Sequence, residues 1–159
     1  AAKARDQVAT MGVALSPCTI PRVGRPGFEL GEDEMEIGMG IHGEPGVRRG
    51  KLETAEQIAD EILPRIINAL SLAAGDEVAV LLNGLGATPL EEQFIVYKRV
   101  NEVLNGKGIR VYHVYAGEFA TSMEMAGMSV SLFKLDDELK YYLSRPAYSP
   151  FFGQPQLNL

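Results

Sequence analysis

Two glycine-bracketed segments carry the residue types that could do chemistry. The first is GIHGEPG, residues 40–46, with His42 at its centre. An imidazole with an unperturbed pKa near ~6.5 is in good part neutral at physiological pH, so it can serve as nucleophile or base. Gly43 and Gly46 leave no bulky neighbour over it, and a turn at a strand end is where rigid backbone presents a reactive side chain. Gly43 could offer its backbone N–H to a ligand. Glu44 could orient the other ring nitrogen or the turn, or be a solvated turn acid. A histidine hydrogen-bonded within a turn is the competing reading of His42, and residue types alone leave both open.

The second segment is NGLGATP, residues 83–89. Backbone N–H groups ahead of a helix start favour negative charge. The segment has no lysine and does not match GxxxxGK[ST], so it is no P-loop. A tight turn with a helix cap, near a domain or partner surface, is the expectation. Glu29, Glu32, Asp33, Glu34 and Glu36 lack EF-hand spacing, and residues alternating along a strand cannot converge on one ion, so a solvated acidic edge is expected and no metal site. Asp136, Asp137 and Glu138 suit a helix N-terminus. His113 reads as structural, Cys18 has no base at motif spacing, and Met123, Met125 and Met128 read as core or contact residues.

The elements that must position these residues follow from periodicity. Residues 1–9 read as the tail of a helix and Met11 to Leu15 as a strand. Residues 16–33 hold three prolines and read as an irregular surface excursion rather than a strand pair. Residues 34–42 alternate, with Met35, Ile37, Met39 and Ile41 on one face, and predict a strand that ends at His42. Thr54 and Gln57 form a capping box ahead of Ile58, Ile62, Ile66 and Leu70 at helical spacing. Pro64 should kink or split that helix. Residues 77–82 form an apolar strand with both faces covered. Thr88, Pro89 and Glu91 predict an N-cap, a first-turn proline and a capping-box acid for a helix to about Asn105. Strands at 109–115 and 128–135 and a helix at 136–143 complete the order, and residues 145–159 read as a loose tail. The expected fold is α/β of the α+β type, one mixed β-sheet with helices packed mainly on one face as a two-layer sandwich, residues 77–115 making a right-handed parallel crossover.

The 159 residues suit a single domain, with 46% hydrophobic and 23% charged residues. A net charge of −6 gives no electrostatic footprint for nucleic acid or an anionic membrane. The apolar runs are too short for a membrane span. One cysteine precludes an internal disulfide and points to a cytoplasmic location. The start, AAKARDQVA, lacks an initiator methionine and reads as mid-helix, as in a chain cut from a longer one.

The stretch ELGEDEMEIGMGIHGEPG, residues 29–46, closely resembles the K subunit of dihydroxyacetone kinase. So do LSPCTIPRVGRPGFEL before it, LLNGLGATPLEE at 81–92 and GEFATSMEMAGMSVSLFKLDDE at 117–138, four segments in the family's order. The resemblance implies that residues 1–159 are the second, C-terminal domain of such a subunit. It implies that His42 adds to the ketone carbon of dihydroxyacetone and holds it as a hemiaminal, through the distal ring nitrogen. Such a bond rejects glycerol, which has the hydroxyls but no carbonyl. The missing first half would supply a glycine-serine-rich substrate loop with a second histidine, a lysine and an aspartate in acid/base roles, so this fragment alone is expected to be inactive. No cofactor is expected here; ATP or ADP with Mg would sit on a nucleotide-binding partner subunit or domain, the phosphate coming from ATP directly or through a phosphotransferase relay. A homodimer is the family's usual state. Two other classes stay open: a dihydroxyacetone-sensing paralogue that controls a transcriptional regulator, and a structural or interaction domain with an inert His42.

Overall fold

Helix α1 (Ala2–Asp6) leads directly into β1 (Val8–Ala14), a strand that starts earlier than its apolar part because all seven residues pair with a neighbour. In the computed structural model, which describes residues 1–41 and 44–158, the proline-rich excursion then forms a minimal strand pair, β2 (Thr19–Ile20) and β3 (Arg25–Pro26). This corrects the expectation of an unpaired segment. Pro26 cannot donate, but Gly27 N–H next to it bonds the Cys18 carbonyl at 3.0 Å. The alternating segment yields β4 (Glu34–Ile37), shorter than its pattern. Gly38 has φ +80°, outside the β region, and its N–H turns to the Gly12 carbonyl at 2.7 Å. Strand β5 (Arg48–Lys51) was not legible in the sequence, since RRGK has no apolar face. It is an edge strand held by charge: Arg49 pairs across to Glu34, and Arg48 with Glu53 and Glu61.

The capping box at Thr54 forms as read: Thr54 Oγ1 accepts from Gln57 N–H, and the Gln57 side chain accepts from Thr54 N–H. Helix α2 (Ala55–Ala69) buries Ile58, Ile62, Leu63, Ile66 and Ile67. Each such side chain stabilises by about 1.5–3 kcal/mol on leaving water. Pro64 does not split α2, which is continuous through it. Pro64 and Asp60 lie on the exposed side, where water can hydrate the Asp60 carbonyl left without its i+4 donor.

Strand β6 (Glu77–Gly84), helix α3 (Leu90–Gly106) and strand β7 (Arg110–Gly117) make the parallel crossover, and β8 (Gly127–Leu135) returns antiparallel beside β6. The sheet order is β5-β4-β1-β8-β6-β7, with β6–β7 its parallel pair. Helices α2 and α3 cover one face over a core of Val13, Met35, Ile37, Val80, Leu82 and Leu132, among others. The mixed sheet with helices mainly on one face is thus as expected. On the other face, α4 (Asp137–Leu143), capped by Asp136 on Leu139 N–H at 2.9 Å, packs Leu139 and Leu143 with Ala79, Phe133 and Leu135.

The tail is not loose. Residues 147–154 form a hairpin of β9 (Ala147–Ser149) and β10 (Phe152–Gln154). Gln154 is buried and donates to the carbonyls of Leu143 and Arg145 at 2.7 and 2.9 Å, while Tyr115 Oη donates to its Oε1. One polar side chain with all its partners met ties the hairpin down, a signal that no proline count reveals.

Candidate functional site

The loop between β4 and β5 carries the histidine motif. Its stem is closed by Val47 N–H to the Ile37 carbonyl at 2.8 Å and by Gly46 N–H to Glu36 Oε1 at 2.5 Å. Higher up, Gly40 N–H bonds the Glu44 carbonyl at 3.2 Å. The Glu44 side chain lies back over Gly40, so that a Cβ there would stand 2.1 Å from Glu44 Oε2 and would push that carboxylate aside. Met39 is buried below, and Ile41 is 40% exposed at the top. The strand read for residues 34–42 ends at Ile37, and residues 38–41 lie beyond it. His42 and Gly43 themselves lie outside the described residues.

A second small core supports this loop. Ala14, Cys18, Met39, Leu85 and Met125 pack together, with Phe28 against them. All of these but Ala14 come from the four segments singled out in the sequence, which therefore converge at one end of the sheet. Cys18 is buried, as a free thiol in this core. Met125 and Met128 are core, as read, whereas Met123 is exposed.

The wall opposite the motif loop is residues 118–127, hung from β6 by one side chain. Asn83 Oδ1 accepts from Phe119 and Ala120 N–H, and its Nδ2 donates to the Ala120 carbonyl, each at 2.8 Å. Ser122 N–H bonds the Leu85 carbonyl at 2.7 Å, and Ser122 Oγ donates to the Ile41 carbonyl at 2.8 Å. Glu124 Oε1 accepts from Thr19 N–H at 2.7 Å, and the N–H groups of Glu124 and Thr19 hold its carboxyl below the usual range. Between wall and loop lies a cavity of about 300 Å³, lined by Cys18, Phe28, Ile41, Thr121, Ser122 and Met123 among others.

The NGLGATP turn belongs to this wall, and its backbone donors serve the fold. Leu85 N–H goes to the Gly127 carbonyl at 3.0 Å and Ala87 N–H to the Met125 carbonyl at 3.1 Å, so these donors are spent. The expected N-cap at Thr88 does not form: Pro89 occupies that position, and Thr88 Oγ1 instead accepts from the buried Gly127 N–H at 2.8 Å. Tertiary demand for an acceptor outweighs the local cap.

The acidic run behaves as a surface edge. Arg49, with Gly31 N–H, holds the Glu34 carboxyl below its usual range, and Glu36 serves the motif stem. Among the described residues no cluster of His, Cys, Asp and Glu could hold a metal. His113 lies on β7, edge-to-face with Tyr115 at 4.5 Å, and burial pushes its pKa down. It is away from the motif loop, as its structural reading requires. The sequence gives no role to Ser122, nor to Asn83 within NGLGATP, because their partners lie tens of residues away.

With this geometry in hand, likeness to known proteins becomes interpretable. The chain belongs to the Dak1 domain family, which it matches over residues 1–151. It is 49% identical over 152 residues to the dihydroxyacetone-binding subunit DhaK of PTS-dependent dihydroxyacetone kinase 2 from Listeria innocua, covering 96% of this chain and 46% of that protein. It is 40% identical over 162 residues to an L-erythrulose kinase of Pectobacterium atrosepticum, covering 99% of this chain and 28% of that one. Among solved structures, the dihydroxyacetone kinase operon co-activator Dha-DhaQ matches with a TM-score of 0.80 and 35% identity, over 88% of this chain and 44% of its own. The native dihydroxyacetone kinase of C. freundii shares the fold, with a TM-score of 0.81 at 22% identity over 99% of this chain and 29% of its own. The chain thus spans less than half the length of these relatives.

Proposed function

We propose that this chain is the part of a dihydroxyacetone-binding kinase subunit that holds the ketone covalently on His42. The observation that carries the reading is 49% identity to such a subunit across 96% of the chain, with the GIHGEPG loop intact. The architecture supports it: four sequence-distant segments build one end of the sheet around that loop.

In the proposed step, the lone pair of a neutral imidazole nitrogen forms a C–N bond to the ketone carbon. The carbonyl π pair moves to oxygen, which ends as a hydroxyl, and the ring loses the proton of its other nitrogen. The adduct fixes a small flexible substrate, removing much of the entropic cost of orienting it. Phosphoryl transfer to its terminal hydroxyl then requires mainly positioning and charge stabilisation. The hydroxyl oxygen forms the new O–P bond, its proton passes to a base, and the donor's bond to phosphorus breaks. The nucleotide, ATP or ADP with Mg, belongs to a partner subunit or domain in this reading, and this domain binds no cofactor. The proposal includes the upstream half of the subunit as a second wall of the site, Gly43 and Glu44 as substrate-side residues of the motif turn, a homodimer and a cytoplasmic location. Among the described residues no helix is long and apolar enough to cross a membrane.

The test uses the complete subunit with carbonyl-labelled dihydroxyacetone, followed by carbon NMR. The ketone signal should convert to that of a tetrahedral carbon in the parent and stay unchanged in His42→Ala. An unchanged ketone in both would leave an inert structural domain as the better reading.

A sensing paralogue is the second reading, favoured by the likeness to the co-activator Dha-DhaQ. Such a protein would keep the adduct but not the phosphoryl transfer. A phosphorylation assay with a nucleotide-bearing partner separates the two.

A further inference from the structure

We propose that Ser122 is a positioning residue for His42, and this rests on the adduct chemistry proposed above. Its hydroxyl fixes the Ile41 carbonyl, and that carbonyl belongs to the peptide unit whose nitrogen is that of His42.

Ser122 is built to hold still. It is 8% exposed, and every polar group it has is engaged. Its N–H goes to the Leu85 carbonyl at 2.7 Å, and its carbonyl takes Met125 N–H at 3.0 Å. Its Oγ lies 2.8 Å from the Ile41 oxygen and 3.4 Å from Cys18 Sγ. The turn that carries it is suspended from β6 by the three hydrogen bonds of Asn83. The donor is therefore referenced to the central sheet, while its target is a residue 81 positions away.

The target shows what the contact is for. Ile41 and Ser122 both line the open cavity, so water could reach the Ile41 carbonyl if the Ser122 hydroxyl were lost. A hydrogen bond that solvent can replace adds little to folding. What water cannot replace is direction. A peptide plane turned at Ile41 re-aims the histidine that follows, and small misplacements of a reacting group are costly. The cavity beside the contact leaves the loop room to turn when the pin is removed.

The experiment compares Ser122→Ala, Ser122→Thr and His42→Ala in the complete subunit. The readouts are the tetrahedral-carbon population as labelled dihydroxyacetone is titrated and the melting temperature. Ser122→Ala should weaken adduct formation about tenfold, equivalent to about 1.4 kcal/mol, with melting nearly unchanged. Ser122→Thr, which keeps the hydroxyl, should recover most of the adduct. Parental adduct formation in Ser122→Ala overturns the proposal. So does equal loss in the alanine and threonine variants, which would assign the effect to packing. A large drop in melting temperature for Ser122→Ala overturns it too, by making the contact one of folding. If the parent forms no adduct, the reading of His42 falls and this inference with it; if the parent does and Ser122→Ala matches it, only this inference falls.

Discussion

The two glycine-rich segments look alike in sequence and do opposite things in the fold. In NGLGATP the backbone donors of Leu85 and Ala87 are spent on Gly127 and Met125, and Thr88 is buried against Gly127. Gly86 has φ +137°, and a Cβ there would lie 1.8 Å from the Met123 carbonyl oxygen. These glycines let two backbones lock together. Around GIHGEPG the stem is closed by Gly46 N–H on Glu36 and Val47 N–H on Ile37, but Ile41 and Glu44 stand exposed at the top. Those glycines let a short loop rise from a rigid base. Glycine in the first serves closure and in the second presentation, and composition alone does not separate them.

The largest effect should come from breaking closure. Gly86→Ala puts a methyl group into backbone at a positive φ, and should destabilise by about 3 kcal/mol or more in denaturant unfolding. A loss under ~1 kcal/mol would mean that the two backbones are not locked as described. Next comes the stem of the presenting loop. Glu36→Ala removes the acceptor for Gly46 N–H and should cost about 1 kcal/mol of stability, while weakening the ketone adduct more than Gly86→Ala does in its folded fraction. Equal adduct formation in both variants would erase the distinction between the turns.

The smallest effect serves as a control at the far end of the sheet. Lys134 Nζ and Ala73 N–H, each 2.8 Å from Asp76 Oδ2, hold the Asp76 carboxyl below its usual range. The folded pKa is depressed, so the pair's contribution is complete above the unfolded value near ~3.9. It is lost as pH falls from there through the folded value. Both side chains are about a quarter exposed, which limits the contribution to under about 1 kcal/mol. Asp76→Asn should therefore lower stability slightly at neutral pH, converge with the parent in strong acid, and leave adduct formation untouched. A change in the adduct would couple the far end of the sheet to the motif loop.

Local patterns made much of the fold legible. The capping box of Thr54 and Gln57, the stripe from Ile58 to Ile66, the apolar run of β6 and the Asp136 cap depend on residues at most a few positions apart, so the chain states them directly. Strand β5 and the final hairpin were illegible for the reverse reason. Arg48 and Arg49 form a strand because Glu34, Glu53 and Glu61 wait for them, and Gln154 is fixed by Leu143, Arg145 and Tyr115.

The candidate site divides the same way. The sequence by itself determined the motif around His42, the glycines that a loop there requires, and the resemblance that family membership bears out. Only the tertiary structure decided that β4 stops at Ile37, that Thr88 serves Gly127 rather than its own helix, and that Ser122 reaches Ile41. The physical reason is the same in each case. A buried N–H or an exposed loop takes the partner that the packed sheet brings within 3 Å, and that choice is set by distances in space that sequence separation does not encode.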